Sequence, residues 1–205
     1  MEDAVDVKVV TRNPMLFFLQ SNQTQEYLER TLSNSPLEGE DSGQEASPLR
    51  GGLEGSLSQR EIGKRMHEVL SRINDVSQLD EVLGQAREEG IIGDGEDWET
   101  ITSRIREGFR DPLVASWFKA ENIVYNECSI ASINKGGQPE ILRPDRVVIN
   151  GKDITVIDYK FGHPSRLYYD QVKDYMALMK QMYPDYEVKG YLWYIMGKGA
   201  IPVKS

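Results

Sequence analysis

The residues best suited to chemistry are two aspartates and a lysine in neighbouring apolar segments. Asp158 and Lys160 are two positions apart at the end of the run ITVIDYK, and Asp145 precedes them in the run RPDRVVIN. Carboxylate oxygens bind hard divalent cations such as Mg²⁺, and a water held by such an ion can attack a phosphorus atom. A nearby ammonium can stabilise the charge that develops. These residue types therefore predict metal-dependent hydrolysis of a phosphate ester.

A β-hairpin would bring these side chains together. Apolar alternation predicts strands on both sides of the Asn-Gly pair at 150–151, which favours a two-residue turn because both positions need positive φ. Such a turn pairs Ile149 with Lys152 and places Asp145 diagonally from Asp158 on one face, roughly 7–8 Å apart at Cα. A slip of one residue would send one aspartate to the other face. The alternative is an ordinary hairpin whose charges face water.

A histidine could join this site from a helix. The S-x-x-E capping box at 58–61 predicts a helix start, and His67 lies at the edge of the apolar stripe that follows. Gly63, one turn earlier, would let the helix approach another backbone closely. From spacing alone, His67 is either a boundary histidine that bonds a carbonyl or a member of the same site.

Glu127 lies in a segment, 123–130, whose pattern predicts the first strand of a sheet. Burying an unpaired carboxylate there is costly. Glu127 is therefore a metal ligand, a group that supports one, or the partner of Arg143 or Arg146. For Arg146 itself, the sequence leaves open a pair with an acid or a contact with a phosphate.

Together these motifs resemble a known family. P-D at 144–145 and D-Y-K at 158–160 resemble the signature of the PD-(D/E)XK nucleases. The continuation D-Y-K-F-G, Q-x-x-x-Y at 171–175 and G-x-x-x-H at 63–67 are similar to the RecB-type branch, the nuclease domain at the C-terminus of RecB/AddA-like (UvrD-type) helicases. The resemblance covers roughly residue 60 onward. One departure is R-P-D, at 143–145, in place of a glycine-led G-x-x-D, and it keeps the aspartate.

The resemblance implies roles for individual residues. Mg²⁺, or Mn²⁺ as an alternative, would be held by His67, Asp145, Asp158 and the carbonyl of Tyr159. Lys160 would position water and stabilise the pentavalent phosphate, and Glu127 would be a further catalytic group. Gln171 and Tyr175 would lie beside the active site and contact the DNA or orient the catalytic groups. Arg146 is a further residue expected to contact DNA.

The function implied is a Mg²⁺-dependent DNA nuclease, an exonuclease that processes DNA ends in double-strand-break repair and leaves 5′-phosphates. Its partners would be single-stranded or unwound DNA ends, an upstream helicase region of the same polypeptide, and a second helicase–nuclease subunit. The alternative is a DNA- or protein-binding module that keeps the nuclease fold without cleaving. A formal charge of −9 favours that alternative, because non-specific affinity for DNA comes from lysine and arginine.

Composition limits the remaining possibilities. The 205 residues include one cysteine, Cys128, which excludes an intrachain disulfide and a four-cysteine iron–sulfur cluster. We therefore expect a reducing, cytoplasmic location and no such cluster. No run approaches the about 18 apolar residues of a membrane span, so no membrane partner is expected.

The elements predict an α/β fold of the restriction-endonuclease-like kind, a mixed central sheet flanked by helices. Helices are expected at 77–89, from 97, and at 166–182, and a final hairpin at 188–203. Residues 58–205 would form the nuclease domain. Residues 1–32 would be an N-terminal segment, the tail of a larger upstream region. Residues 33–57, rich in Ser, Gly, Glu and Pro, are expected to be a flexible linker.

Overall fold

The computed structural model describes residues 17–19, 59–91, 96–133 and 139–204. The expected linker at 33–57, the capping serine at 58 and the expected N-terminal segment at 1–32, apart from residues 17–19, lie outside these residues. Residues 17–19 form a short strand against the domain that follows. Among the helices that are described, none combines the length and apolar character needed to cross a membrane.

Five α-helices are described, and most begin or end where the sequence has a capping signal. Their bounds are α1 Gln59–Ser71, α2 Leu79–Glu88, α3 Glu96–Gly108, α4 Pro112–Trp117 and α5 Arg166–Met182. Asp111 caps α4, and Ser165 caps α5 by accepting a hydrogen bond from the N–H of Leu167. A 3₁₀ turn, Val76–Gln78, replaces the expected first turn of the second helix, because Asp75 makes a capping box one turn early.

The strands form two sheets. Their bounds are β1 Phe17–Leu19, β2 Ile123–Asn126, β3 Ser129–Ile133, β4 Pro139–Leu142, β5 Arg146–Asn150, β6 Asp153–Lys160, β7 Glu187–Tyr194 and β8 Gly199–Val203. The main sheet has the order β2-β5-β6-β7-β8, and the smaller sheet has the order β1-β3-β4. Only the β6–β7 pair of the main sheet is parallel, with α5 as its crossover. The expected α/β fold with a mixed, helix-flanked sheet is confirmed.

The hairpin register differs from the expected one by two residues. Asn150 pairs with Asp153 and Ile149 with Ile154, so the turn is made by Gly151 and Lys152 rather than by Asn150 and Gly151. Gly151 has a φ of 59°, and no positive φ occurs at Lys152, which is the pattern of a type II′ turn rather than type I′. A shift of two preserves the strand faces. Extended by one pair, this register sets Asp145 directly opposite Asp158 instead of diagonally.

Two neighbouring segments, 123–133 and 139–150, each contribute one strand to the main sheet and one to the smaller sheet. The first segment leaves the main sheet at Glu127, whose φ of 47° is the one positive non-glycine value in the described chain. The second segment joins the main sheet after residues 143–145. The expected single strand through Glu127 is therefore wrong. A side chain in this backbone region is strained, and such strain is often found at functional positions.

Helices cover both faces of the main sheet. Helices α1 to α4 pack on one face against Val148, Ile157, Tyr159 and Trp193. Helix α5 packs on the other face, in two clusters that use Val147, Val156 and their neighbours and then Leu192 and Tyr194. Alternation along β6 thus sends Asp158 toward the α5 face and Tyr159 toward the α1 face. The site lies where the ends of β5 and β6 meet both helical layers.

Candidate metal centre

Asp145 is held by contacts to both of its oxygens. Its Oδ2 accepts a hydrogen bond of 2.5 Å from the backbone N–H of Tyr159, and its Oδ1 lies 3.0 Å from Nδ1 of His67. The carboxylate is almost fully buried, at 9% side-chain exposure. A buried carboxylate with one oxygen fixed by a backbone amide has a defined orientation, so its other oxygen is aimed at one place.

His67 reaches this place from the middle of α1. Its ring packs against Tyr159 and Phe161, with centroid distances of 5.9 and 5.7 Å. Burial alone would lower the pKa of His67, but the hydrogen bond to Asp145 and the charges of Asp145 and Glu127 outweigh it and raise the pKa. The ring is therefore fixed at the seam between helix and sheet. We expected His67 to point at the space shared by Asp145 and Asp158; the structure shows its contact with Asp145, whereas Asp158 lies outside the cluster of possible ligand atoms.

The close approach of α1 does not depend on Gly63. A Cβ added at Gly63 would lie 3.7 Å from Cβ of Phe161, which is an ordinary van der Waals contact. We expected Gly63 to permit a close helix–sheet contact, and the structure shows that this contact does not require a glycine.

Glu127 is the third member of the cluster. Its backbone N–H donates to the carbonyl of Asp145 at 2.9 Å, and its Oε1 lies 4.0 Å from Nδ1 of His67. Arg143 pairs with its other oxygen at 3.8 Å, which selects one of the partners left open by the sequence. Burial and the charge of Asp145 raise the pKa of Glu127, while His67 and Arg143 oppose the shift. The carboxylate of Glu127 therefore lies beside His67 and Asp145, and the three residues offer possible ligand atoms within 4.8 Å of one another.

Asp158 and Lys160 form a second pair beside these three residues. Nζ of Lys160 lies 2.5 Å from Oδ2 of Asp158, and the two side chains are 15% and 3% exposed. We describe the contact as an ion pair, because no group in the described part of the chain meets the angles of a hydrogen bond to Oδ2. Burial and the charge of Asp145 raise the pKa of Asp158 to about 7, against the opposing charges of Lys160 and His67.

Helix α5 contacts the site through Tyr175. Nε2 of Gln171 donates to Oη of Tyr175 at 2.7 Å, and that hydroxyl donates to the carbonyl of Arg143 at 3.1 Å. These two hydrogen bonds connect α5 to the segment that leads into Asp145. Tyr175 is buried, whereas Gln171 is exposed at the helix surface. A contact of either residue with DNA stays a prediction. The structure shows that Tyr175, hydrogen-bonded to Gln171, holds the backbone of Arg143 close to Asp145.

Arg146 lies in the interior, so the expected contact with DNA is wrong. Its guanidinium is fully buried and donates to the carbonyls of Ile73, Asn74 and Trp117 and to Oδ1 of Asn126, at 2.7 to 3.0 Å. It also lies 3.8 Å over the ring of Phe118. Arg146 joins the ends of α1 and α4 to the sheet and so fixes the helix that carries His67.

The side chains brought together differ in part from the predicted set. Among the described residues, one group has three possible ligand atoms within 4.8 Å of one another, and it consists of His67, Glu127 and Asp145. Asp158 is not in this group, although His67 and Asp145 both act on its pKa. Its role as a ligand stays a prediction, as does that of the Tyr159 carbonyl. Tyr168 is a neighbour that the sequence analysis did not single out, and its ring lies 4.3 Å from Nζ of Lys160.

Comparison with protein-family models gave no match for this chain, and comparison with curated proteins gave none either.

Proposed function

We propose that this chain is a metal-dependent DNA nuclease that hydrolyses phosphodiester bonds. The observation that carries the proposal is the meeting of His67, Glu127 and Asp145 within 4.8 Å, beside the ion pair of Asp158 and Lys160. These side chains come from separate elements and are largely buried. The resemblance of the same residues to RecB-type PD-(D/E)XK motifs supports the same reaction.

The donor set fits a divalent cation. Asp145 and Glu127 supply hard carboxylate oxygens beside Nδ1 of His67, and a bound cation would supply positive charge where His67 and Arg143 now supply it. The imidazole nitrogen suits a transition metal better than it suits Mg²⁺, so Mn²⁺ should bind more tightly than Mg²⁺. When bound, the cation supplies positive charge to a phosphate oxygen and acidifies a water.

The protein groups divide the remaining work. Asp145, fixed by the N–H of Tyr159, sets the position of the site, and His67 and Glu127 complete it. Lys160 carries an ammonium with three donors, which can orient the attacking water and donate to a phosphate oxygen as negative charge builds. Attack by water on phosphorus with departure of the 3′ oxygen yields a 5′-phosphate and a 3′-hydroxyl.

The same resemblance carries the wider setting of the proposal. The substrate is the end of single-stranded or unwound DNA, and the reaction is end processing by an exonuclease in double-strand-break repair. A helicase region upstream in the same polypeptide and a second helicase–nuclease subunit would deliver the unwound strand. We place the reaction in the cytoplasm, where the buried thiol of Cys128 stays reduced.

The test is cleavage of end-labelled single-stranded DNA by the complete chain with Mg²⁺, with Mn²⁺ and with excess EDTA. We expect cleavage with either metal, none with EDTA, and loss of at least about a hundredfold in Lys160→Ala. Lys189→Ala is the matched control, because Lys189 pairs with Asp153 and Glu187 at the surface, away from the site.

Two results would overturn the proposal. Cleavage that persists in EDTA would exclude a metal-dependent reaction. DNA bound but left uncut with either metal would identify a non-cleaving binding module with this fold.

A further inference from the structure

The ammonium of Lys160 has a second neighbour besides Asp158. Nζ lies 4.3 Å from the ring centroid of Tyr168, within the range of an attractive cation–π contact. Tyr168 is in the first turn of α5, and Lys160 is the last residue of β6. The contact therefore joins the end of the central strand to the helix that follows it.

The position of Tyr168 is set by the packing of α5 on the sheet. Tyr168, Val172 and Met176 are four residues apart and share one helix face. They pack in one cluster, with Tyr168 half-buried at its edge. Gly190 of β7 allows this approach, since a Cβ there would lie 2.4 Å from Sδ of Met176 and 2.7 Å from Cγ1 of Val172. The position of the ring is thus set by a helix whose close packing against Gly190 would be lost if the helix moved.

An aromatic ring has properties here that a carboxylate lacks. Its face attracts the ammonium but takes no proton and forms no directed bond with any one of the three N–H groups. Asp158 contacts the same ammonium, but it would give up this contact if its carboxylate rotated to bind a cation. The ring of Tyr168 would then remain as the contact that limits the four rotatable bonds of the lysine side chain.

We propose that Tyr168 is a positioning residue that holds the Lys160 ammonium toward the reacting phosphate. The role at a phosphate rests on the proposed nuclease function, and the placement of the ammonium rests on the 4.3 Å contact. The ring face is the part that acts, so the hydroxyl is dispensable.

Nuclear magnetic resonance of protein with labelled lysine tests the contact without any need for activity. Ring current from Tyr168 should shift the Cε protons of Lys160 upfield from those of the other lysines, and Lys160→Ala identifies the signal by its loss. We expect Tyr168→Phe to keep the upfield shift and Tyr168→Leu to return the signal to the range of the other lysines. No upfield signal in the parent, or one that persists in Tyr168→Leu, would overturn the proposal; the parent spectrum decides even if Tyr168→Leu does not fold.

Steady-state cleavage of single-stranded DNA tests the consequence. We expect kcat of Tyr168→Leu to fall about three- to thirtyfold with little change in KM, as cation–π energies imply, and Tyr168→Phe to stay near the parent. Tyr169→Leu is the matched control, since Tyr169 packs in the same cluster without lying over Lys160. An equal loss of kcat in Tyr168→Phe or in Tyr169→Leu would contradict the role of the ring face. Absence of cleavage by the parent would instead remove the proposed function, and the resonance result would still decide the contact.

Discussion

His67 Nδ1 lies 3.0 Å from Oδ1 of Asp145, although one residue is in the first described helix and the other precedes a strand far along the chain. Neither residue could make this contact without a specific fold. Asp145 needs the N–H of Tyr159 to orient it, and His67 needs Arg146 to join its helix to the sheet.

Replacing His67 should weaken metal binding more than it weakens the fold. We expect His67→Ala to lower the affinity for Mn²⁺ at least about tenfold, because one ligand is lost and Asp145 loses the partner that orients it. Isothermal titration calorimetry measures the affinity. His163→Ala is the control, since His163 is the other histidine and is exposed. Equal affinity in the parent and in His67→Ala would remove His67 from the site.

Arg146 should prove to be structural. In Arg146→Leu three backbone carbonyls and Asn126 lose their donor, and we expect a loss of more than about 3 kcal/mol in the free energy of unfolding. Urea denaturation measures it, and Arg104→Leu, which removes an exposed pair with Glu107, should change it by less than about 0.5 kcal/mol. Full stability in Arg146→Leu together with weakened DNA binding would restore a surface role.

Gly63→Ala should be tolerated. The added methyl group meets Phe161 at an ordinary contact distance, and alanine is the better helix former, so we expect a gain of about 0.4–1 kcal/mol in the free energy of unfolding. Urea denaturation measures the gain, and calorimetry with Mn²⁺ should show unchanged affinity. Loss of stability or of metal binding would show that α1 needs a closer approach than the structure gives it.

The metal-free protein should lose stability as pH rises through neutrality. The folded pKa of Asp158, about 7, lies above that of an unfolded aspartate, so its stabilising protonated form is present at low pH and is lost as pH rises toward and past that value. The raised pKa of His67 has the same sign, since the stability it contributes is lost as pH rises through the folded pKa.

Urea denaturation in EDTA at about pH 5.5 and about pH 8 tests this dependence. We expect the parent to be less stable at the higher pH and Asp158→Asn to show a smaller difference. Asp153→Asn, at the exposed end of the hairpin, is the control. A parent whose stability rises over this range would contradict the raised pKa values.

Much of the architecture could be predicted from local patterns. The periodicity of β6, the helical pattern at 166–182 and the alternation in the final hairpin predicted main elements and their order. The site was less predictable. The turn lies one residue later than expected, at 151–152, where Gly151 alone has positive φ. The pairing register therefore differs by two residues, which keeps Asp145 and Asp158 on one face.

Other features depended on tertiary contacts that no local pattern shows. The local pattern predicted a strand through Glu127. Its positive φ occurs where the backbone passes from one sheet to the other, and that change depends on pairing with the segment at 139–150. Arg146 resembled a surface cation because the carbonyls that enclose it come from two helix ends. One local pattern could have predicted that Tyr168 lies near the site, because it precedes Gln171 by about one helical turn.

Single-turnover cleavage by Asp145→Asn, with Mn²⁺ and end-labelled single-stranded DNA, tests the central claim most directly. The amide keeps the shape of the side chain but loses the charge that the metal centre requires. We expect a rate at least about a hundredfold below that of the parent, while Asp153→Asn cleaves at the parent rate. Cleavage by Asp145→Asn at the parent rate would contradict a nuclease site built on Asp145.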